Sequence, residues 1–203
     1  VRGASPLFNP AMVILTADHL MENIDYFQKL LLRAKVAADE GYLVTLGIKP
    51  AFPSTGYGYI EAGELLGALG VYDVKQFKEK PDGETAQKYL ESGSYFWNSG
   101  MFIWSIHSIL DEFEKQMPAL FEKLKMIQEN FIIKNQIGNI TDIWTTIEPE
   151  TIDYGIMEGA SKVVVLPAED LGWSDVGSWD SLFSILDADQ QGNINQINNI
   201  VNI

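Results

Sequence analysis

The sequence contains no cysteine and two histidines, and its 14 basic residues are half the number of its 28 acidic ones. The absence of cysteine excludes disulfides, thiolate metal ligands and cysteine nucleophiles. Two histidines argue against a histidine-rich zinc site. A net charge of −14 argues against a nucleic-acid or anionic-membrane binder, which needs a basic surface. A phosphate ligand remains compatible, because carboxylates can hold a divalent cation that binds phosphate.

Long apolar runs are also missing. No run approaches the roughly 20 residues of a membrane-spanning helix, and residues 1–10 lack the pattern of a signal peptide. With 203 residues, 46% hydrophobic and 21% charged, the chain is typical of a globular protein with one large buried domain. We therefore expect a cytoplasmic protein without a membrane or nucleic-acid partner.

The first half of the chain alternates strand and helix patterns. The apolar run 11–16 predicts a parallel strand buried on both faces. Residues 22–40 have helical periodicity, and residues 42–48 predict the next strand. This order is typical of a right-handed parallel crossover and of the α/β class. Further strands are predicted at 70–78, 95–104 and 161–167, and helices at 83–92, 105–117, 118–131, 149–160 and 178–186.

Two carboxylates follow predicted strands. Asp175 lies between Trp173 and Trp179, beyond the strand 161–167, and Asp18 follows the first strand. Since parallel strands end at a shared edge of the sheet, the two carboxylates can converge there. Oxygen ligands of this kind suit Mg²⁺. The alternative for Asp18 is an N-cap of the following helix.

Other polar residues lie at or within predicted strands. Glu79 and Lys80 end the strand 70–78 and are suited to sugar hydroxyls and to phosphate, although a solvated charge pair is the alternative. Asn98 interrupts an apolar strand, either to bind a ligand or within a β-bulge. Gly56 and Gly58 allow close approach of a ligand, or form a tight loop. Together these residues predict a site for a phosphorylated, hydroxylated small molecule.

Six segments, in this order, resemble those of mannose-1-phosphate guanylyltransferases, and the resemblance covers residues 13–186. The segments are 17–19, 55–60, 77–81, 97–102, 152–158 and 173–179. The resemblance implies a Rossmann-like nucleotidyltransferase fold, with a mixed, mostly parallel sheet flanked by helices. It implies Mg²⁺ as cofactor, bound by Asp18 and Asp175. It makes Asp18, Asp175 and Lys80 catalytic, and it implies substrate contacts from Gly56, Tyr57, Gly58, Glu79, Lys80, Asn98 and Asp153.

The implied reaction is attack of a mannose-1-phosphate oxygen on the α-phosphorus of GTP, which gives GDP-mannose and pyrophosphate. Catalysis would rest on alignment and electrostatics rather than on a protein nucleophile. Another sugar-1-phosphate, or a non-catalytic role in binding a sugar phosphate, is the alternative. The sequence leaves the oligomeric state open and is compatible with a homodimer.

One feature of the family is absent. The glycine-rich loop G-G-x-G-T-R, which binds the nucleotide phosphates in the family, does not occur in the sequence. We therefore expect residues 1–186 to be the C-terminal, sugar- and metal-binding portion of the catalytic domain, without its N-terminal strands. Residues 187–203 would begin a truncated C-terminal extension, and this chain alone would be inactive.

Overall fold

The computed structural model describes residues 9–133, 138–177 and 186. A six-stranded sheet has the order β1-β6-β3-β7-β5-β4, and a separate two-stranded ribbon joins β2 to β8. The strands are β1 (Ala11–Ile14), β2 (Leu20–Met21), β3 (Leu43–Ile48), β4 (Tyr59–Leu66), β5 (Val71–Lys78), β6 (Tyr95–Ser105), β7 (Val163–Pro167) and β8 (Trp173–Ser174). The helices are α1 (Ile24–Asp39), α2 (Gly83–Ser92), α3 (Ile106–Gln116), α4 (Pro118–Gln128) and α5 (Gly138–Trp144), with π-helical segments at Glu129–Ile133 and Asp153–Met157.

The α/β class and the mixed sheet are confirmed. Strands β3 and β7 pair in parallel, whereas the other pairings among the described residues are antiparallel. The expected predominance of parallel pairs is therefore not seen in this part of the chain. The reason is that β6 lies between β1 and β3 and runs antiparallel to both. The crossover through α1 still joins two strands of the same direction, as predicted, but they are not neighbours.

Strand β1 corrects one expectation. It was predicted to be buried on both faces, but three of its four residues are exposed, among them Val13 at 41%. It is an edge strand in the described sheet, and β6 is its one partner there. An apolar run indicates a strand, but it does not reveal how many neighbours that strand has.

Strand β6 changes partners along its length. Its first residues pair with β4, its middle with β3 and its last four residues with β1. The pairings β3–β7, β7–β5, β5–β4, β4–β6 and β6–β3 form a closed cycle of strands. The register of β3 against β6 shifts between Thr45 and Gly47, and Gly100 has φ of +68°. A β-bulge around Asn98, one of the two alternatives for this residue, is thus present.

Hydrophobic clusters cover both faces of the sheet. Side chains alternate along β3, so that Val44 and Leu46 pack in the cluster that contains the buried residues of α1. Leu43 packs on the other face, in a cluster that contains Ile109 of α3 and Ile156 of the second π-helical segment. All six residues of β3 are buried. The polar Thr45 shares the parity of Leu43 and therefore points to this second face.

Helix boundaries follow their capping residues. Asp82 caps α2 and Ser105 caps α3, while Pro118 opens α4. The predicted helix 149–160 is instead a short π-helical segment, in which Gly155 packs against Met117 Sδ. No described helix has the length and apolarity to cross a membrane. The predicted helix 178–186 lies, except for residue 186, outside the described residues, as does the tail 187–203.

Candidate active site

The two-stranded ribbon brings together the carboxylates that sequence patterns single out. Leu20 pairs with Ser174 and Met21 with Trp173. Extended by one residue, this antiparallel register sets His19 opposite Asp175, and by two residues it sets Asp18 opposite Val176. The charges of Asp18 and Asp175 both act on His19, so both carboxylates lie near this imidazole, at the ribbon and not at a shared edge of parallel strands. We call Asp18, His19, Trp173 and Asp175 the carboxylate ribbon.

Asp175 has an unsatisfied oxygen. Its Oδ1 atom is buried and has no hydrogen-bond partner among the residues that the structure describes. A buried carboxylate oxygen without a donor is costly, and such atoms often mark a ligand or ion site. The next residue, Val176, has φ of +47°, which is strained for a β-branched side chain. Asp18 is exposed.

His19 and Trp173 connect the two strands of the ribbon. The Trp173 indole N–H donates to His19 Nδ1 over 3.1 Å, and the two rings meet edge to face at 5.2 Å. Because Nδ1 accepts, the imidazole is neutral and carries its proton on Nε2. Burial lowers the pKa of His19, although the charges of Asp18 and Asp175 act in the opposite direction. Sequence patterns did not reveal this pair.

Tyr57 bridges the ribbon to the sheet. Its ring contacts Trp173 at 5.5 Å and Trp97 at 4.9 Å between centroids. Burial, then a hydrogen bond to Asp175 and the negative charge of that residue, raise the pKa of Tyr57 to about 12. The phenol is therefore a hydrogen-bond donor to Asp175 at neutral pH, which places the loop of Tyr57 beside the ribbon.

A second group of polar residues lies at the ends of β5 and β6 and on the second π-helical segment. We call Glu79, Lys80, Asn98 and Asp153 the polar cluster. Lys80 Nζ lies 3.8 Å from Glu79 Oε1, with 64% of the lysine side chain exposed. Burial raises the pKa of Glu79, and the negative charge of Asp153 adds to the effect. Burial likewise raises the pKa of Asp153, against the hydrogen bond from Asn98.

The Asn98 side chain is engaged within the protein. Its Oδ1 accepts from the Thr45 hydroxyl at 3.0 Å and from the Gly100 N–H at 3.2 Å. Its Nδ2 donates to Asp153 Oδ1 at 2.8 Å. One N–H of the amide remains for a ligand. Thr45, which the sequence patterns did not single out, is thus part of the surroundings of the polar cluster.

The two glycines of the 55–60 loop differ in what surrounds them. A Cβ on Gly58 would collide with the carboxylate at the end of the Glu79 side chain and lie 3.4 Å from Asn98 Cβ, so glycine lets Glu79 keep its place against this loop. A Cβ on Gly56 would meet only Ser54 Oγ, at 3.7 Å. A side chain at position 58 would therefore displace Glu79, whereas one at position 56 would not.

The donor set of the ribbon fits a magnesium ion. The described residues contain no group of three or more carboxylates and imidazoles that could hold a metal by themselves. Mg²⁺ in phosphoryl-transfer sites typically takes one or two carboxylates and completes its shell with phosphates and water. The unsatisfied Oδ1 of Asp175 beside Asp18 is consistent with that pattern.

Comparisons with known proteins agree with the fold. A crystal structure named mannose-1-phosphate geranyltransferase, from Thermus thermophilus, matches with a TM-score of 0.75 and 30% identity. The match covers 88% of this chain and 50% of that one. A crystal structure named mannose-6-phosphate isomerase, from Helicobacter pylori, matches with a TM-score of 0.69 and 26% identity over 82% of this chain and 64% of that one. The chain thus has the fold of an α/β nucleotidyltransferase enzyme.

Sequence relatives define the family. The model of the Nucleotidyl transferase family matches residues 4–192, and the chain belongs to that family. It is 39% identical to mannose-1-phosphate guanylyltransferase of Escherichia coli (strain K12), over 94% of this chain and 40% of that protein. It is 41% identical to xanthan biosynthesis protein XanB of Xanthomonas campestris pv. campestris (strain B100), over 91% and 39%. The resemblance found in the sequence is confirmed, and the chain spans about 40% of these relatives.

Proposed function

We propose that this chain supplies the sugar- and metal-binding part of a mannose-1-phosphate guanylyltransferase, which forms GDP-mannose and pyrophosphate from GTP and mannose-1-phosphate. The observation that carries the proposal is the buried Oδ1 of Asp175, which has no hydrogen-bond partner in the described part of the chain and lies, like Asp18, within electrostatic reach of His19. The names of the sequence relatives support the substrate.

The carboxylate ribbon and the polar cluster would bind different parts of the substrates. Asp18 and Asp175 would hold Mg²⁺, which supplies positive charge for the phosphates. Lys80, whose ammonium group is mostly exposed, would pair with the phosphate of the sugar. Glu79 and Asp153 would accept hydrogen bonds from sugar hydroxyls. The glycine at position 58 keeps the loop close to Glu79, so the sugar would lie between this loop and the polar cluster.

No protein nucleophile is needed for this reaction. The sugar phosphate would attack the nucleotide directly, and the protein would hold the reactants in line and neutralise charge. A neutral His19 beside the two carboxylates adds no positive charge of its own, which leaves the cation as the main counter-charge there. The G-G-x-G-T-R loop does not occur in the 203 residues, so we expect this chain by itself to turn over GTP slowly or not at all.

Calorimetry tests the proposal. Mannose-1-phosphate should bind this chain in the presence of Mg²⁺ more tightly than glucose-1-phosphate does, and removal of Mg²⁺ should weaken the binding. Equal affinities for the two sugars would contradict the choice of mannose and favour a nucleotidyltransferase for another sugar. Binding of mannose-1-phosphate that is independent of Mg²⁺ would favour a non-catalytic sugar-phosphate-binding role.

A further inference from the structure

We infer that Thr45 is a positioning residue for the carboxylate of Asp153 and acts through the side chain of Asn98. The inference deepens the proposed function and rests on it, because it assigns to Asp153 the acceptance of a hydroxyl hydrogen bond from the sugar phosphate. Thr45 itself is completely buried and touches no solvent. Its contribution would therefore reach the ligand only through Asn98.

The first step of the argument is the origin of the contact between Thr45 and Asn98. Thr45 lies in the middle of β3, paired with Val165 in β7 and Phe102 in β6. Two residues further along β3, Gly47 pairs with Asn98, so four positions in β6 correspond to two in β3. This register shift lets the Asn98 amide reach back to the Thr45 hydroxyl, 53 positions earlier in sequence.

The second step is the orientation of the amide. Oδ1 of Asn98 receives two donors, the Thr45 hydroxyl and the Gly100 N–H. The opposite rotamer of the amide would place its NH₂ group against the Gly100 N–H and its oxygen against the Asp153 carboxylate. Both of those contacts are repulsive. The Gly100 N–H and the Asp153 carboxylate therefore decide which way the amide faces, and the hydrogen bond from Thr45 anchors the amide in that place, with Nδ2 2.8 Å from Asp153 Oδ1.

The third step is the effect on Asp153. Burial raises the pKa of this carboxyl, and the hydrogen bond from Asn98 is the largest of the effects that oppose the rise. Lys80 also opposes it, while Glu79, Glu158 and Tyr154 are the other titratable groups that interact across this site. An ionised carboxylate only accepts hydrogen bonds, which is what a sugar hydroxyl donor requires. Asn98 donates to Oδ1 of Asp153, and the other carboxylate oxygen of Asp153 would accept from the ligand.

A pair of substitutions isolates the Thr45 hydroxyl. Thr45→Val preserves the shape and removes the hydroxyl, whereas Thr45→Ser retains the hydroxyl and removes a methyl group. Ser99→Ala is the matched control, because Ser99 is a buried hydroxyl on the same bulge that accepts only from the nearby Met101 N–H. Folding of each variant is checked by its thermal unfolding transition.

Two measurements are made on each variant. In ¹³C NMR, the Asp153 carboxyl of Thr45→Val should titrate at higher pH than in the wild type, and it should be unchanged in Thr45→Ser and Ser99→Ala. In calorimetry with mannose-1-phosphate and Mg²⁺, Thr45→Val should bind about fivefold more weakly, the effect of about 1 kcal/mol of lost hydrogen bonding. Affinity for Mg²⁺ alone should not change.

Several results would overturn the inference. An Asp153 titration that is the same in Thr45→Val and the wild type would show that the hydroxyl does not act on this carboxyl. Equal losses of affinity in Thr45→Val and Thr45→Ser, or in Ser99→Ala, would assign the effect to packing. If the wild type bound neither mannose-1-phosphate nor glucose-1-phosphate, the proposed function would fail, and the NMR titration would still decide the role of Thr45.

Discussion

The carboxylate ribbon and the polar cluster differ in how far the protein satisfies their polar groups. In the ribbon, Asp175 accepts from Tyr57, but its buried Oδ1 has no partner among the described residues. In the polar cluster, Asn98 receives two hydrogen bonds and donates one to Asp153. On the proposed function, a cation would complete the ribbon, whereas the side chains of the cluster are arranged before any ligand arrives. This difference is what we expect of a cation site next to a site for a neutral, hydroxylated ring.

The two regions also differ in what a ligand would do to stability. A cation that binds only the folded state would stabilise the protein in proportion to its concentration and would relieve the unpaired oxygen. In the polar cluster, by contrast, burial raises the pKa values of Glu79 and Asp153, so their ionisation at neutral pH opposes folding. In the polar cluster, the carboxylates that would bind the sugar therefore lower the stability of the folded protein.

The largest effect is expected from Asp175→Ala, which removes one of the two carboxylates of the carboxylate ribbon. The Mg²⁺-dependent part of mannose-1-phosphate binding should fall by about 100-fold or more, since even loss of an outer partner of a metal ligand costs about 10–100-fold in metal affinity. Calorimetry with and without Mg²⁺ measures it, with Asp111→Ala on the exposed face of α3 as control. An unchanged dependence on Mg²⁺ would argue against a metal role for Asp175.

Gly58→Ala tests the close approach between the loop and the polar cluster. The new Cβ collides with the carboxylate at the end of the flexible Glu79 side chain, which can move aside, so we expect a loss of at most about 1 kcal/mol in unfolding free energy, the low end of the cost of overpacking. Binding of mannose-1-phosphate should weaken as well, because Glu79 must move. Gly83→Ala is the control, since a Cβ at Gly83 meets nothing within 4 Å. Equal stability of the two variants in denaturant unfolding would show that the approach is not tight.

Trp173→Phe should affect the ribbon and leave the cluster unchanged. It removes the indole N–H that His19 accepts, and affinity for Mg²⁺ should fall about fivefold, as for one lost hydrogen bond. The titration of Asp153 should remain that of the wild type. In the control Trp104→Phe, the indole N–H that is removed is buried and has no partner among the described residues, so the affinity for Mg²⁺ should not change. A shifted Asp153 titration in Trp173→Phe would show that the two regions are coupled.

The smallest effect is expected from Glu79→Gln, measured as thermal stability against pH. Because the pKa of folded Glu79 is raised, its stabilising contribution is complete below its ordinary pKa of 4.5 and is lost as the pH rises through the folded value. The variant should therefore gain stability over the wild type as the pH rises above 4.5, while it binds mannose-1-phosphate more weakly. Exposed Glu64→Gln should show no such trend. A constant difference between Glu79→Gln and the wild type at all pH values would refute the effect.

Much of the fold was predictable because local patterns determine it. The crossover through α1 and the caps at Asp82 and Ser105 follow from residues close in sequence. The exposure of β1 was not predictable, since the burial of a strand depends on its neighbouring strands, which an apolar run does not reveal. The segment 149–160 has helical periodicity, yet the close packing of Gly155 on Met117 accompanies a π-helical turn.

The candidate site was predicted in its residues more than in its geometry. Asp175 was found from the aromatic residues around it, but its proximity to Asp18 comes from a two-residue ribbon that no periodicity reveals. In the sequence, Thr45 is recognisable as a polar residue within an apolar strand. Its hydrogen bond to Asn98 is not, because that contact depends on a register shift between distant strands. The roles of the individual site residues stay predictions until variants are measured.

The central claim is that the ribbon is a cation site, and thermal unfolding of the wild type and Asp175→Ala with and without Mg²⁺ tests it most directly. Without Mg²⁺, the substitution removes a buried oxygen that has no partner among the described residues, but it also removes the acceptor of the Tyr57 hydroxyl, so the midpoints without Mg²⁺ serve only as baselines. Mg²⁺ should raise the midpoint of the wild type and leave that of the variant unchanged. Equal shifts in both proteins, or no shift in the wild type, would contradict the claim.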